Sequence, residues 1–189
     1  SRDNLIRIYP QKNLFSHIIG QIDNDNNGIS GLEKSLDQKL KIVQKPISLT
    51  VDRDIQYLIR DELIKYNEIF RTKGSAAILM DISNGEILSL VSLPDFDPNK
   101  REVISDIDFI NRATKGVYEF GSVFKTFTLA AAFDQKVIEP KTKFEDLPKS
   151  LTCAGFPIRE YDDKIPSNLT AEQILVRSGN IGSVRIGQK

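Results

Sequence analysis

The segment Gly121-Ser122-Val-Phe-Lys125 puts a hydroxyl and an amine three residues apart. At the start of a helix such a pair shares one face, so the two side chains can meet. A serine hydroxyl is too weak an acid to attack a carbonyl unaided and needs a base to take its proton. Lysine can be that base only when its amine is neutral. Two features favour the neutral form: a first-turn cation faces the positive end of the helix dipole, and its neighbours Val123, Phe124 and Phe127 are apolar. The bare pattern is weak, since at this serine and lysine content roughly one Ser-x-x-Lys pair is expected by chance. An N-cap serine and a lysine reaching out to solvent are ordinary roles as well.

A second group of candidates is Ser178-Gly179-Asn180, which follows a helix end. Alone it is a common turn. Beside a Ser-x-x-Lys helix start it offers a hydroxyl for proton relay and an amide to hold a substrate carbonyl. The single histidine, His17, is remote in sequence and unsupported, which argues against a Ser-His-Asp triad and for an ordinary surface or interface residue. The tract Asp23-x-Asp25-x-Asn27-Gly28 begins like a calcium-binding EF-hand loop, but the position of the bidentate acid falls on Lys34 and Glu33 misses it by one. A solvated Asn/Asp turn is the expectation, with no metal and no cofactor.

The elements that must position these residues follow from periodicity. Residues 1–45 are polar and broken, with a short helix expected over Gly31 to Leu40 and a boundary near Lys45-Pro46. Ile47 to Val51 alternates like a short strand, and Asp52 is placed to cap a helix over 52–70. Its buried face is expected to carry Ile55, Leu58, Ile59, Leu63, Tyr66 and Phe70. Ala76 to Ile82 and Glu86 to Leu93 form an expected antiparallel pair around Asn84-Gly85, whose residue types supply the positive φ values of a tight hairpin. An irregular connection runs from Pro94 to about Arg112. A helix from Ser122 through Phe133 is apolar on nearly every face and should be buried. Thr170-Ala-Glu-Gln173 predicts a capping box for a last helix that stops before Ser178.

Composition sets wide bounds. The 189 residues carry 26 basic and 26 acidic side chains, so no net field draws the chain to nucleic acid or to an anionic membrane. An apolar content of 40% is enough for a real core. One cysteine, Cys153, excludes an internal disulfide and leaves the compartment open. The run Leu129 to Phe133 is far too short to span a bilayer. The opening at Ser1-Arg2, without an initiator Met or signal peptide, suggests a processed or excised piece, with any anchor upstream.

Taken in order, Gly28-Ile-Ser-Gly-Leu-Glu33, Leu49-Thr-Val-Asp52, Asp81-Ile-Ser-Asn-Gly-Glu-Ile-Leu88, Leu93-Pro-Asp-Phe-Asp-Pro-Asn99, Asn111-Arg-Ala113 and Tyr118-Glu-Phe-Gly-Ser-Val-Phe-Lys125 resemble class B penicillin-binding proteins. The resemblance implies an α+β fold of the penicillin-binding-protein/serine β-lactamase type, an antiparallel sheet flanked by helices. Residues 1–45 would be part of an N-terminal pedestal, and 46–189 the N-terminal portion of the transpeptidase domain. It implies Ser122 as acyl-enzyme nucleophile, Lys125 as general base, and Ser178 with Asn180 as the relay and substrate-orienting pair. The implied partners are peptidoglycan stem peptides ending in D-Ala-D-Ala, β-lactams, a membrane glycosyltransferase and other division proteins, with no nucleic acid.

The implied location is the bacterial inner membrane, facing the periplasm. The short connection of Lys100 to Ile110 is similar to the cell-division, septal branch, since elongation-type relatives carry a longer insertion. Three departures stand out. The chain ends without a Lys-Thr-Gly, so one wall of the family's site lies outside it, and the isolated chain is expected to be inactive or impaired. Leu40 to Ile47 is short for a pedestal connection, which suggests a compact variant or an edited piece. Phe120 stands where the family often has Pro. The alternatives are a non-catalytic β-lactam sensor or scaffold, which shares the first two motifs, and a serine β-lactamase, for which no deacylating base is identifiable.

Overall fold

The computed structural model describes residues 6–42, 45–100 and 107–189. The chain divides into two compact units, Ser1–Val117 and Tyr118–Lys189. Parts of two expected features, the Leu40 to Ile47 connection and the Lys100 to Ile110 loop, lie outside the described residues at 43–44 and 101–106.

In the first unit a 3-10 turn at Lys12–Phe15 leads into α1 (Ser16–Ile19), and the expected helix after Gly31 is two pieces, α2 (Gly31–Ser35) and α3 (Asp37–Ile42). Residues 47–51, expected as a short strand, are not part of one. Near the sheet Thr50 Oγ1 donates to the Ile87 carbonyl at 2.7 Å, and the following Asp52 N–H donates to the Leu88 carbonyl at 2.9 Å. Asp52 caps α4 (Arg53–Phe70) as its residue type predicts, with Oδ1 accepting from the N–H of Asp54 and of Ile55 at 2.9 Å each.

The inward face of α4 is rotated from the expected one. Ile55, Ile59 and Leu63 are half-buried, while Leu58, Tyr66 and Phe70 are exposed and the most buried residue of the helix is Gln56. Apolar periodicity missed Gln56 because it is polar, yet it ties three segments together. Its Nε2 donates to the carbonyls of Leu14 (2.9 Å) and Leu90 (2.8 Å), and its Oε1 accepts from Ser89 Oγ (2.7 Å) and Leu90 N–H (3.0 Å). A buried amide is tolerated when its hydrogen-bonding capacity is used in this way.

Strands β1 (Ser75–Met80) and β2 (Ile87–Leu93) pair antiparallel, each shorter than expected at the turn. The connection is wider than a two-residue hairpin: Asp81 N–H donates to the Glu86 carbonyl and Gly85 N–H to the Asp81 carbonyl. Only Gly85 takes a positive φ, of 79°. Asn111 caps the single turn α5 (Arg112–Lys115) with its side-chain oxygen on Ala113 N–H.

The second unit begins with a 3-10 helix at Gly121–Phe124 that runs into α6 (Lys125–Asp134). It continues through β3 (Lys143–Phe144), β4 (Ser150–Cys153), β5 (Phe156–Arg159) and β6 (Leu169–Thr170) to α7 (Ala171–Val176) and α8 (Asn180–Gly187). Strands β3 and β6 form one antiparallel pair and β4 and β5 another, a hairpin turning on Ala154 and Gly155, both at positive φ. The predicted capping box is present: Thr170 Oγ1 accepts from Gln173 N–H, and Gln173 Oε1 from Thr170 N–H. The core is Leu129, Ala132, Ile138, Phe144, Leu147, Ile165, Leu169, Ala171, Ile174, Ile181 and Ile186.

The helix expected to be buried is not. Leu129 and Ala132 face this core, whereas Val123, Phe124 and Phe127 are 63%, 60% and 63% exposed. An all-round apolar sequence shows that a helix can be covered on every side, and here the described residues cover one. α8 was not foreseen. Its Gly182 lets it approach α7, because a Cβ there would lie 2.6 Å from Ile174 Cγ1. Ile174 is fully buried and β-branched, so it cannot move aside. Gly182→Ala in the whole protein is therefore expected to cost about 1–3 kcal/mol, read as a lowered midpoint of denaturant unfolding.

Candidate active site

The 3-10 helix carries Ser122 and hands the chain to α6 at Lys125, whose N–H donates to the Ser122 carbonyl. In 3-10 geometry residues three apart eclipse, so the serine and lysine are aligned more closely than in the α-helix start expected from sequence. Gly121 precedes them at φ 54°, and a Cβ there would meet nothing within 4 Å. Its lack of a side chain therefore serves backbone conformation rather than space. Ser122 is exposed at the surface of the turn.

The second motif is built by the end of α7. Ser178 N–H donates to the Leu175 carbonyl and Gly179 N–H to the Ile174 carbonyl, both at 2.9 Å. This is a Schellman ending, whose left-handed position is normally glycine. Ser178 occupies it at φ 52°. The chain pays that strain at a residue whose side chain is in use, the pattern expected where function outweighs local stability.

Lys125 is where the two motifs meet. Its Nζ donates to the Ser178 carbonyl at 2.6 Å, to Ser178 Oγ at 3.0 Å and to Asn180 Oδ1 at 2.6 Å. An ammonium has three protons to give, and these three acceptors take them all. Asn180 is oriented in turn by its Nδ2, which donates to the Arg159 carbonyl at 2.8 Å. Burial pushes the Lys125 pKa below the ordinary lysine value, and the Glu160 carboxylate opposes that shift. The neighbouring Phe124 and Phe127, expected to be buried around it, are 60% and 63% exposed.

Of the four candidates the structure joins Lys125, Ser178 and Asn180 directly. Ser122 sits one turn before the lysine, and its hydroxyl makes no hydrogen bond among the described residues. Sequence reasoning missed Arg159 and Glu160, which approach the site only because the β4–β5 hairpin returns them there. No local signal distinguishes them.

His17 belongs to the first unit, where its Nε2 lies 3.1 Å from the Pro94 carbonyl and its ring meets Phe96 edge-on. The EF-hand-like tract spends its oxygens internally. Asp23 accepts from the N–H of Asp25 and of Asn27, and the Lys41 ammonium bonds Asn27 Oδ1 and Asp37 Oδ2.

Comparison with known proteins gives the family. Residues 75–189 match the penicillin-binding protein transpeptidase domain. The chain belongs to that family. It is similar to a probable peptidoglycan D,D-transpeptidase FtsI of Caulobacter vibrioides, 32% identical over 188 residues that cover 97% of this chain and 31% of that protein. A probable peptidoglycan D,D-transpeptidase PenA of Neisseria gonorrhoeae is 30% identical over 213 residues, 98% of this chain and 36% of that one. The fold is that of penicillin-binding protein 3 of Mycobacterium tuberculosis, with a TM-score of 0.82 at 24% identity over 97% of this chain and 43% of that structure. The chain thus spans about a third of the length of these curated relatives.

Replacing Ser178 by glycine separates the two roles of that position. Ser178→Gly is expected to relieve the left-handed strain and stabilise the fold by about 0.5–1 kcal/mol, seen as a raised unfolding midpoint. The same change removes one of the three lysine acceptors and is expected to slow any chemistry at Ser122 by roughly 10-fold or more.

Proposed function

We propose that this chain is the part of a septal, class B peptidoglycan D,D-transpeptidase that carries its nucleophile. Residues 1–45 would belong to its pedestal and 46–189 to the first portion of its catalytic domain. The observation that carries the reading is the grip of Lys125 on Ser178 and Asn180, three residues after a solvent-accessible Ser122. Family membership and relatives named as D,D-transpeptidases support it.

In this reading Ser122 Oγ attacks the carbonyl of the penultimate D-Ala of a stem peptide, and its proton passes to neutral Lys125. The Ser178 hydroxyl, bonded to Lys125 Nζ, relays a proton to the departing D-Ala amine. The amine of a neighbouring stem then attacks the Ser122 ester, forming the cross-link and freeing the serine. β-Lactams acylate the same oxygen. Asn180 holds the lysine through Oδ1 and orients substrate at the same turn. Residues 1–189 contain no Lys-Thr-Gly, the motif that in the family would meet the substrate carboxylate. A membrane glycosyltransferase and division proteins are the proposed partners, at the periplasmic face of the inner membrane. Among the described residues no helix is long and apolar enough to cross a membrane.

The lowered Lys125 pKa gives the sign of the pH dependence. The protonated amine cannot accept the serine proton, so acylation rises as pH climbs through the Lys125 pKa, at lower pH than an ordinary lysine would give. In the whole protein, labelled penicillin is expected to form a stable adduct on Ser122 that Ser122→Ala abolishes, as read by gel and peptide mass. Lys125→Ala is expected to slow acylation by about 10²- to 10⁴-fold. Labelling that survives Ser122→Ala sinks the assignment, and rapid release with turnover would make the protein a β-lactamase instead.

A further inference from the structure

We propose that Glu160 is the positioning residue of this site, a carboxylate clamp that fixes the Ser178–Asn180 turn and so aims the groups holding Lys125. The inference rests on the function proposed above. Glu160 Oε2 accepts from Asn180 N–H at 2.7 Å and Oε1 from Ile181 N–H at 3.0 Å. These are the first two N–H groups of α8, which have no partner within the helix. The preceding N-cap position is Gly179, which has no side chain to cap them. The carboxylate of the residue that follows β5 does so, at the positive end of the helix, with charge-assisted bonds.

Its neighbours act on the same turn. The Arg159 carbonyl accepts Asn180 Nδ2, which decides the amide orientation and turns Oδ1 toward Lys125. Tyr161 OH donates to the Arg177 carbonyl at 3.1 Å, on the other side of the turn. Glu160 N–H bonds the Lys149 carbonyl at 3.1 Å, keeping the clamp on the hairpin. Three consecutive residues therefore hold positions 177–181, and Glu160 bears the only carboxylate among them.

The charge of Glu160 has a second effect, because it favours the Lys125 ammonium. The other elements packed on α6 give Lys125 the neutral groups of Ser178 and Asn180. Their charged side chains, Glu172 on α7, Arg177 at its end and Arg185 on α8, make no hydrogen bond or ion pair with it among the described residues. Position and charge can thus be read separately, as the plateau and the midpoint of the acylation pH profile.

In the whole protein, Glu160→Gln retains size but loses the charge and one acceptor oxygen. Its acylation plateau by labelled penicillin is expected to fall roughly 10-fold. Its ascending pH limb is expected to move to lower pH, and amide exchange at Asn180 and Ile181 to accelerate. Glu160→Asp keeps the charge and both oxygens on a shorter stem. It should restore the wild-type pH midpoint and recover part of the plateau, and it decides the matter if Glu160→Gln does not fold. Wild-type plateau and midpoint in a folded Glu160→Gln, or unchanged exchange at those two amides, would overturn the clamp. So would an Asp variant that matches wild type in plateau and exchange while Glu160→Gln is unfolded. If the wild-type protein is itself not acylated, the proposed function falls, while amide exchange still reads the clamp.

Discussion

The ammonium of Lys125 is held by three acceptors that come from a single turn, the carbonyl and hydroxyl of Ser178 and the amide oxygen of Asn180. The architecture of the Tyr118–Lys189 unit follows from the need to bring that lysine and that turn within bonding distance. α6 supplies the lysine, and the junction of α7 with α8 supplies the turn. Ile174, Ile181 and Ile186 bury completely between these helices, so an apolar core sets the spacing of a polar site. Gly182 permits the close approach of α7 and α8. A small displacement of either helix would lengthen bonds of 2.6 Å that have no slack.

The same contacts describe a resting state of the site. Three acceptors of one turn surround Lys125 Nζ, and the Ser122 hydroxyl makes no hydrogen bond among the described residues. Burial works against the Lys125 charge and the Glu160 carboxylate for it. The left-handed Ser178 fits the same picture. Glycine would be easier there by backbone criteria, and the serine that occupies it supplies one of the three lysine partners through its hydroxyl.

The first unit solves a different problem with the same economy of polar groups. Gln56, on the inward face of α4, joins that helix to β2 and to the Leu14 carbonyl near the N-terminus. Asn99 returns to the backbone of Tyr9 in both directions, and the Arg60–Asp95 pair at 2.6 Å fastens α4 to the segment after β2. The segment 6–42 is thus fastened by hydrogen bonds from Gln56 and Asn99 as well as by apolar contact, with Tyr9 and Ile22 buried.

Local chemistry was legible in the sequence. Asp52 and Thr170 cap because their oxygens reach backbone N–H groups two or three residues on, and the β1–β2 pair follows from apolar runs around a Gly-containing turn. Ser122, Lys125, Ser178 and Asn180 were candidates by residue type, spacing and order, and the structure brings the last three into hydrogen-bond contact. Side-chain direction across elements was less legible: the face of α4 was misjudged at Leu58, Tyr66 and Phe70 because a buried glutamine leaves no apolar mark. The exposure of the α6 aromatics could not be read either, since burial depends on what lies opposite. What only the tertiary structure decided is which groups touch the lysine and what holds them. Glu160 lies 35 residues from Lys125 and 20 from Asn180, and no pattern in the chain encodes a contact created by a hairpin folding back onto a helix end.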